Sequence, residues 1–230
     1  MPSPTTAPTI VLHQWAISPF CGKVRRILDH KGLAFTTVDY NGLKARGAAK
    51  LTPTGKLPVI DYDGERVADS SEIARFLDER HPTPPLYPAD PVARARVHFW
   101  EDWADEALYW FEIYFRFMYP AAREQAVALL SEGRPAFERM LLGRVVRGMY
   151  RKKVTAQGLG RLTQAQVEAR FLAHLDALEV LLGESAWLAG DARTIADIAV
   201  ASQLAEIVRT GHIAGEVTGR PKLGAWLSRS

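Results

Sequence analysis

The chain has 230 residues, with 29 Lys and Arg against 26 Asp and Glu, 47% apolar and 24% charged residues. That composition is ordinary for a water-soluble globular fold, long enough for one large domain or two small ones, and no apolar run approaches the ~20 residues that cross a membrane. A single cysteine excludes an internal disulfide and makes a reducing, cytoplasmic setting the default; a net charge of +3 suits anionic small molecules or is scattered surface charge, and is too small to argue for nucleic acid.

Met1-Pro2-Ser3-Pro4-Thr5-Thr6 lacks the basic and apolar regions of a signal peptide and opens a disordered lead-in expected over residues 1–8. Thr9-Ile10-Val11-Leu12 then reads as a strand. Val24, Ile27 and Leu28 mark one face of a helix over 22–31. Between them lies Ser18-Pro19-Phe20-Cys21. A strand that delivers a hydroxyl and a thiol to a helix N-terminus is a place to handle sulfur. The backbone N–H groups there are unpaired, and the positive helix end favours a thiolate over a thiol.

Residues 35–39 read as a second strand, 42–50 as a loop with a short helix, and 56–61 as a third strand headed by Pro58, where a proline is tolerated. Tyr62-Asp63-Gly64-Glu65 is a hairpin turn into a fourth strand ending at Ala68. Ile73, Phe76 and Leu77 mark a helix over 70–80. The order βαβ–α–ββ–α makes the first two strands parallel and the last two an antiparallel hairpin.

His81-Pro82-Thr83-Pro84-Pro85-Leu86-Tyr87-Pro88 is a proline-rich joint, and a domain boundary falls there. The remainder of the chain reads as helix throughout. Pro91 fits a first helical turn. Trp100, Trp103, Ala107, Trp110, Phe111 and Tyr114 form one stripe, and Val167, Phe171, Leu175, Leu178 and Leu182 another. Residues 195–204 are apolar nearly all round, a buried central helix. Thr194 and Asp197 open it as a capping box with Asp for the usual Glu, while Arg193 makes a weak staple. Gly133-Arg134-Pro135 breaks a helix. The basic segment 147–161, with Arg147, Arg151, Lys152 and Lys153, reads as a solvated helix face running into a loop at Gly158-Leu159-Gly160.

Taken together, these residues resemble the cytosolic glutathione transferases. Ser18-Pro19-Phe20 followed by Lys23-Val24-Arg25-Arg26 is similar to the start of the serine-type classes, and Gly55-Lys56-Leu57-Pro58-Val59-Ile60 to the family's cis-proline strand. Asp69-Ser70-Ser71-Glu72-Ile73 stands where the family carries a Glu-Ser or Asp-Ser pair. Gly190-Asp191 through Thr194-Ile195-Ala196-Asp197 resembles its buried-helix capping motif, and Pro221-Lys222-Leu223-Gly224-Ala225-Trp226-Leu227 its final helix. Tyr109-Trp110 and Ala156-Gln157-Gly158-Leu159-Gly160-Arg161 resemble, more narrowly, the branch of the failed axon connections proteins and metaxins, where transferase activity is less secure.

The resemblance implies an α/β thioredoxin-like N-terminal domain over 9–81, a linker over 82–90 and an all-α C-terminal helical domain over 91–230. It implies glutathione as co-substrate, a small hydrophobic electrophile and a homodimer. Ser18 becomes the donor to the glutathione thiolate, or else merely caps the helix. Leu57, ahead of a cis Pro58, pairs its backbone with the ligand; Asp69 binds the γ-glutamyl ammonium, Ser70 the α-carboxylate, and Lys56 a ligand carboxylate. Cys21 is the alternative chemical group, since the motif resembles a glutaredoxin Cys-Pro-x-Cys with its first cysteine replaced. Trp15, Phe20, Tyr109, Trp110 and Tyr114 are candidates for the apolar wall of the electrophile pocket, or simple core. His13, His30, His98, His174 and His212 show no ligand spacing, so no metal is expected. The expected function is a glutathione transferase. A non-catalytic adaptor of the same fold, or a glutathione-dependent thiol-disulfide oxidoreductase using Cys21, stands as the alternative.

Overall fold

The computed structural model describes residues 7–230, so the first six residues of the expected lead-in lie outside the described residues. The N-terminal part comprises β1 (Ile10–Gln14), α1 (Pro19–His30), β2 (Thr36–Asp39), α2 (Ala45–Ala48), β3 (Val59–Tyr62), β4 (Glu65–Ala68) and α3 (Ser70–Arg80). Its sheet has the order β2-β1-β3-β4. As the pattern predicts, β1 runs parallel to β2 and β3 antiparallel to β4; β3 also pairs antiparallel with β1.

Three boundaries differ from the sequence reading, each for a local reason. β1 continues through His13 and Gln14, which are buried although polar. His13 bonds to Tyr40 and Asp61, both at 3.0 Å, and the Gln14 amide donates to Asp39 at 3.1 Å, so paired polar side chains extend the strand past the apolar run. α1 begins at Pro19, three residues before the expected start at Gly22, because Ser18 caps it and a proline suits the first turn. β3 starts only at Val59, opposite Ala68, leaving Lys56 and Leu57 outside the ladder.

The proline-rich joint carries no helix or strand, yet it is not a solvated tether. Leu86 is fully buried; its N–H donates to Asp78 at 2.8 Å and its carbonyl accepts from Ile195 N–H at 3.0 Å. The buried Lys31 ammonium donates to the His81 and Pro84 carbonyls at 2.6 and 2.5 Å.

The C-terminal part is helical. α4 (Pro91–Asp102) runs through a π-helical stretch, Trp103–Leu108, into α5 (Tyr109–Phe117). Next come α6 (Pro120–Leu130), α7 (Ala136–Gln157), α8 (Gln164–Glu184), α9 (Ile195–Thr210), α10 (Ala214–Thr218) and α11 (Pro221–Arg229). α9 is the buried central helix, and Ile195, Ala196 and Ile198 share one apolar cluster with Ile10, Leu12, Ile27 and Ile73 of the sheet domain.

Asp197 secures the start of α9. Fully buried, its carboxylate accepts from Leu188 N–H at 2.9 Å, the Trp226 indole at 3.0 Å, Thr194 N–H at 3.0 Å and the Thr194 hydroxyl at 3.2 Å. The Asp half of the capping box is thus present and doubles as the anchor for α11.

Arg116 joins the helical core to the loop before α1. Buried in α5, it donates to the Ile17 carbonyl at 2.6 Å and to Glu206 at 2.9 Å, and lies 2.5 Å from Glu112. Arg25 and Arg209 both donate to the neighbouring Ala16 carbonyl at 3.0 Å. Three guanidiniums therefore fix the backbone that carries Ser18. The opposing charge is uneven: burial pushes the Glu112 carboxyl up to about 7, with Arg116 pulling it down and Glu206 pushing it further up.

Asp197→Ala strands four donors and is expected to cost about 3–5 kcal/mol, read as a lower urea midpoint. Glu112 gives a signed pH dependence. Its folded value lies above its unfolded one, so the folded state holds the extra proton between about 4.5 and about 7. Stability from this group is full below that window and is lost as pH rises through it. Against Glu112→Gln, wild type should lose on the order of 3 kcal/mol across the window and nothing more above it; equal slopes in urea unfolding at stepped pH would refute the assignment.

Candidate functional site

Ser18 sits where the clamped loop turns into α1. Its N–H donates to the Trp15 carbonyl at 3.0 Å and its hydroxyl oxygen accepts from Cys21 N–H at 3.3 Å. It is an N-cap, and it is 9% exposed. A hydroxyl carries one proton and two lone pairs. Accepting the cap bond leaves that proton free for donation to a sulfur. Capping and donation to a thiolate are compatible roles.

Cys21 does not share that availability. It is fully buried among Ala48, Leu57 and Val59, and burial pushes its thiol up to about 11, against the weaker downward pull of the Ser18 hydroxyl and the Trp15 backbone. A closed, protonated thiol neither attacks nor exchanges with a disulfide. Cys21, the alternative to Ser18, is enclosed as a packing side chain in this geometry, because the second position of the motif falls one turn inside α1 and faces the sheet.

That packing aligns the other predicted residues. Trp15 and Ala68 close on the same small cluster, so the Ser18 loop, the Leu57-Pro58 step and the end of β4 meet at one edge. The Leu57-Pro58 peptide bond is cis. Among the described residues, none of the turn, loop or cap hydrogen bonds uses Leu57. Lys56 is exposed and takes part in no ion pair among the described residues. Asp69 caps α3, accepting from Ser71 N–H at 2.9 Å and Glu72 N–H at 3.3 Å. It does so at a φ of 76°, a conformation that costs a non-glycine residue about 1–3 kcal/mol and persists only where neighbours impose it. Ser70 is buried, and its N–H, first in α3, has no intrahelical acceptor.

A buried ion cluster sets the height of the helical domain over this edge. The Lys23 ammonium, 1% exposed, donates to Glu101 and Asp105 at 2.7 Å each and to Ser71 at 3.0 Å. Tyr87 donates to the second Glu101 oxygen at 3.1 Å. Burial alone would lower the Lys23 value; Asp105 and Glu101 outweigh it and hold the ammonium charged. Burial raises the Asp105 carboxyl, with Lys23 opposing it, and its second oxygen is unpartnered. The π-helical stretch carries Asp105 into this cluster.

Of the five aromatic candidates, three gather on one side. Phe20 of α1 meets Tyr109 of α5 with centroids 4.9 Å apart, and Tyr109 meets Trp110 at 5.4 Å. Trp15 lies on the other flank of the loop, its indole donating to the Tyr40 carbonyl at 2.7 Å. Tyr114 is buried in the helical core against Phe115 and Tyr119, in the same cluster as Phe111. Two surface hollows, of about 410 and 380 Å³, lie elsewhere, one around Trp100, Trp103 and His174 and the other around Arg75, Arg94 and His98. Sequence reasoning missed both ion clusters. The signal was present: Glu101 with Asp105, and Glu112 with Arg116, are charged pairs four apart within an aromatic stripe, a spacing that places them on one helix face.

Comparison with known proteins bears on the fold and the family. The model of the glutathione S-transferase N-terminal domain matches residues 12–85, and that of the C-terminal domain residues 161–229. A glutathione S-transferase of Pseudomonas putida is 31% identical over 37% of this chain and 39% of its own length; glutathione S-transferase U10 of Arabidopsis thaliana is 30% identical over 56% of each. The chain thus spans only part of the length of these two relatives. The isoprene-epoxide–glutathione S-transferase of Rhodococcus sp. (strain AD45) is 26% identical over 93% of this chain and 91% of its own. Among solved structures, a glutathione S-transferase from Rhodospirillum rubrum F11 superposes with a TM-score of 0.67 at 24% identity, covering 96% of this chain and 87% of that one. The beta-etherase LigF of Sphingobium sp. strain SYK-6 gives 0.67 at 25%, covering 96% and 94%. With both domain models matched in order and the two-domain fold shared along nearly the whole chain, the protein belongs to the glutathione S-transferase family.

Proposed function

We propose that the chain is a serine-type glutathione transferase that holds glutathione as a thiolate at the N-terminus of α1 and directs it at a hydrophobic electrophile. The observation that carries this reading is the Ser18 hydroxyl: it is fixed at a helix N-terminus just after two arginine-clamped carbonyls, while the adjacent thiol is sealed away. An unperturbed thiol near 8.5 is only a few per cent ionised at neutral pH, and lowering it by two units takes about 2.7 kcal/mol of preference for the thiolate. One hydroxyl hydrogen bond to a charged sulfur together with the helix end supplies a preference of that size. Leu57 offers its backbone to the peptide, Asp69 and Ser70 take the γ-glutamyl ammonium and α-carboxylate, and Lys56 takes a further carboxylate. Phe20, Tyr109 and Trp110 form the apolar wall for the second substrate.

In the reaction the sulfur forms a bond to the electrophilic carbon, and the displaced group leaves with the bonding pair and takes up a proton from water. The names of two similar proteins, an isoprene-epoxide transferase and a beta-etherase, make epoxides and ethers sensible first electrophiles. A cytoplasmic setting and a homodimer accompany this reading by analogy with the family.

Titration calorimetry with reduced glutathione, together with the ultraviolet absorbance of the bound thiolate across pH, tests the proposal. Binding with a thiol value well below 8.5 is expected. Ser18→Ala should return that value toward the free one and lower kcat/KM by about 100-fold. Absence of binding at millimolar ligand, or binding without a shift in the thiol, would defeat the transferase reading and leave the adaptor. Cys21→Ala should retain turnover, and native Cys21 should alkylate only as fast as the protein unfolds; loss of activity in that variant would restore the oxidoreductase reading.

A further inference from the structure

α7 presents a surface that the glutathione chemistry does not use, and it lies between the two matched family domains, in neither of them. Its inner side packs: Val146 and Val154 are buried, and Tyr150 stacks on Phe117 with centroids 3.9 Å apart. Its outer side is apolar and uncovered. Phe137, Met140 and Val145 are 59%, 58% and 54% exposed, with Leu141 and Met149 also open. Leu43 adds to this side from below, held there by its N–H, which donates to Glu138 at 2.9 Å. The spacing 137, 141, 145 puts three of these side chains along one line of a helix.

The same helix is strongly basic. Arg139, Arg144, Arg147, Arg151, Lys152 and Lys153 are all exposed, and none forms an ion pair among the described residues. The single carboxylate of α7, Glu138, is buried and held by Arg134 at 2.7 Å. At about 100° per residue Arg144, Arg151 and Lys152 fall within the arc of the exposed apolar side chains, Arg147 and Lys153 at its margins, and Arg139 beyond it, with the Lys153 ammonium 5.3 Å from the Tyr150 ring centroid. Charge decides the kind of partner. A second copy meeting this face would set these cations against one another, so charge opposes self-association through α7. A deformable anionic interface accepts such a helix face without a matching groove: the apolar chains enter the acyl boundary, while the long basic stems reach the headgroups.

We infer that α7 is a peripheral docking helix that lies flat on an anionic lipid surface. No described helix is long and apolar enough to cross a membrane, so the contact is with one leaflet.

Co-sedimentation of the full chain with phosphatidylcholine vesicles, with and without phosphatidylserine, tests this at low and raised salt. Binding is expected only to the phosphatidylserine vesicles and should weaken with salt. Arg147→Gln with Arg151→Gln should weaken it about fivefold per charge removed, and Phe137→Ser with Leu141→Ser about tenfold. All four positions are exposed, so an unchanged urea midpoint certifies the fold of each variant. No binding to anionic vesicles, or equal binding to neutral ones, overturns the inference. So does binding that survives Phe137→Ser with Leu141→Ser, since that identifies α7 as a purely electrostatic site for an acidic macromolecule instead.

Discussion

A guanidinium inside an aromatic helical core is stable only if carboxylates and carbonyls surround it, and the Arg116 side chain meets that condition by reaching out of its own domain. Three of its partners, Glu112, Glu206 and the Thr210 hydroxyl, are helical; the fourth is the Ile17 carbonyl, one residue before Ser18. The charge cannot be satisfied without fixing the loop, and the loop cannot drift without leaving a buried charge unpaired. A break of that kind costs several kcal/mol. The position of the Ser18 hydroxyl is thus set by the electrostatics of the helical core as much as by the strand that precedes it.

Lys23 applies the same logic from the opposite direction. Its chain starts in the sheet domain and ends between Glu101 and Asp105 of the helical one. The two clusters lie about two turns apart on the rod formed by α4, the π-helical stretch and α5. Between them, Phe20 and Tyr109 make the apolar contact across the domains. Two charged fasteners with an aromatic contact between them fix both separation and tilt, which a single hydrophobic interface would leave soft.

Much of this was legible in the chain. The strand order, the hairpin at Asp63-Gly64, the α3 helix, the buried α9 and its Asp197 cap arise from alternation, turn chemistry and an apolar run closed by a capping pair. The family motifs added the cis step at Leu57-Pro58, which local propensity alone would not suggest. What escaped was long-range. Nothing near Lys23 in sequence announces carboxylates 78 and 82 residues away, and nothing near Cys21 says which way its turn of helix faces. Tyr114 fell into an aromatic stripe wide enough to cover both a cleft wall and a core, and periodicity cannot divide such a stripe between the two.

The burial of Leu86 bears on how independent the two halves are. The boundary that topology draws at the proline-rich joint is not one that the core respects, since Ile195, Ala196 and Ile198 complete the packing of the sheet domain and the joint itself bonds to Asp78 and Ile195. Severed at that point, the sheet half would keep its strands but lose the floor of its interior, and α9 would expose an apolar end made to be enclosed. The chain is two modules in its architecture and a single module in its thermodynamics, so recombining one half with a foreign partner succeeds only if that partner brings its own equivalent of the first turns of α9.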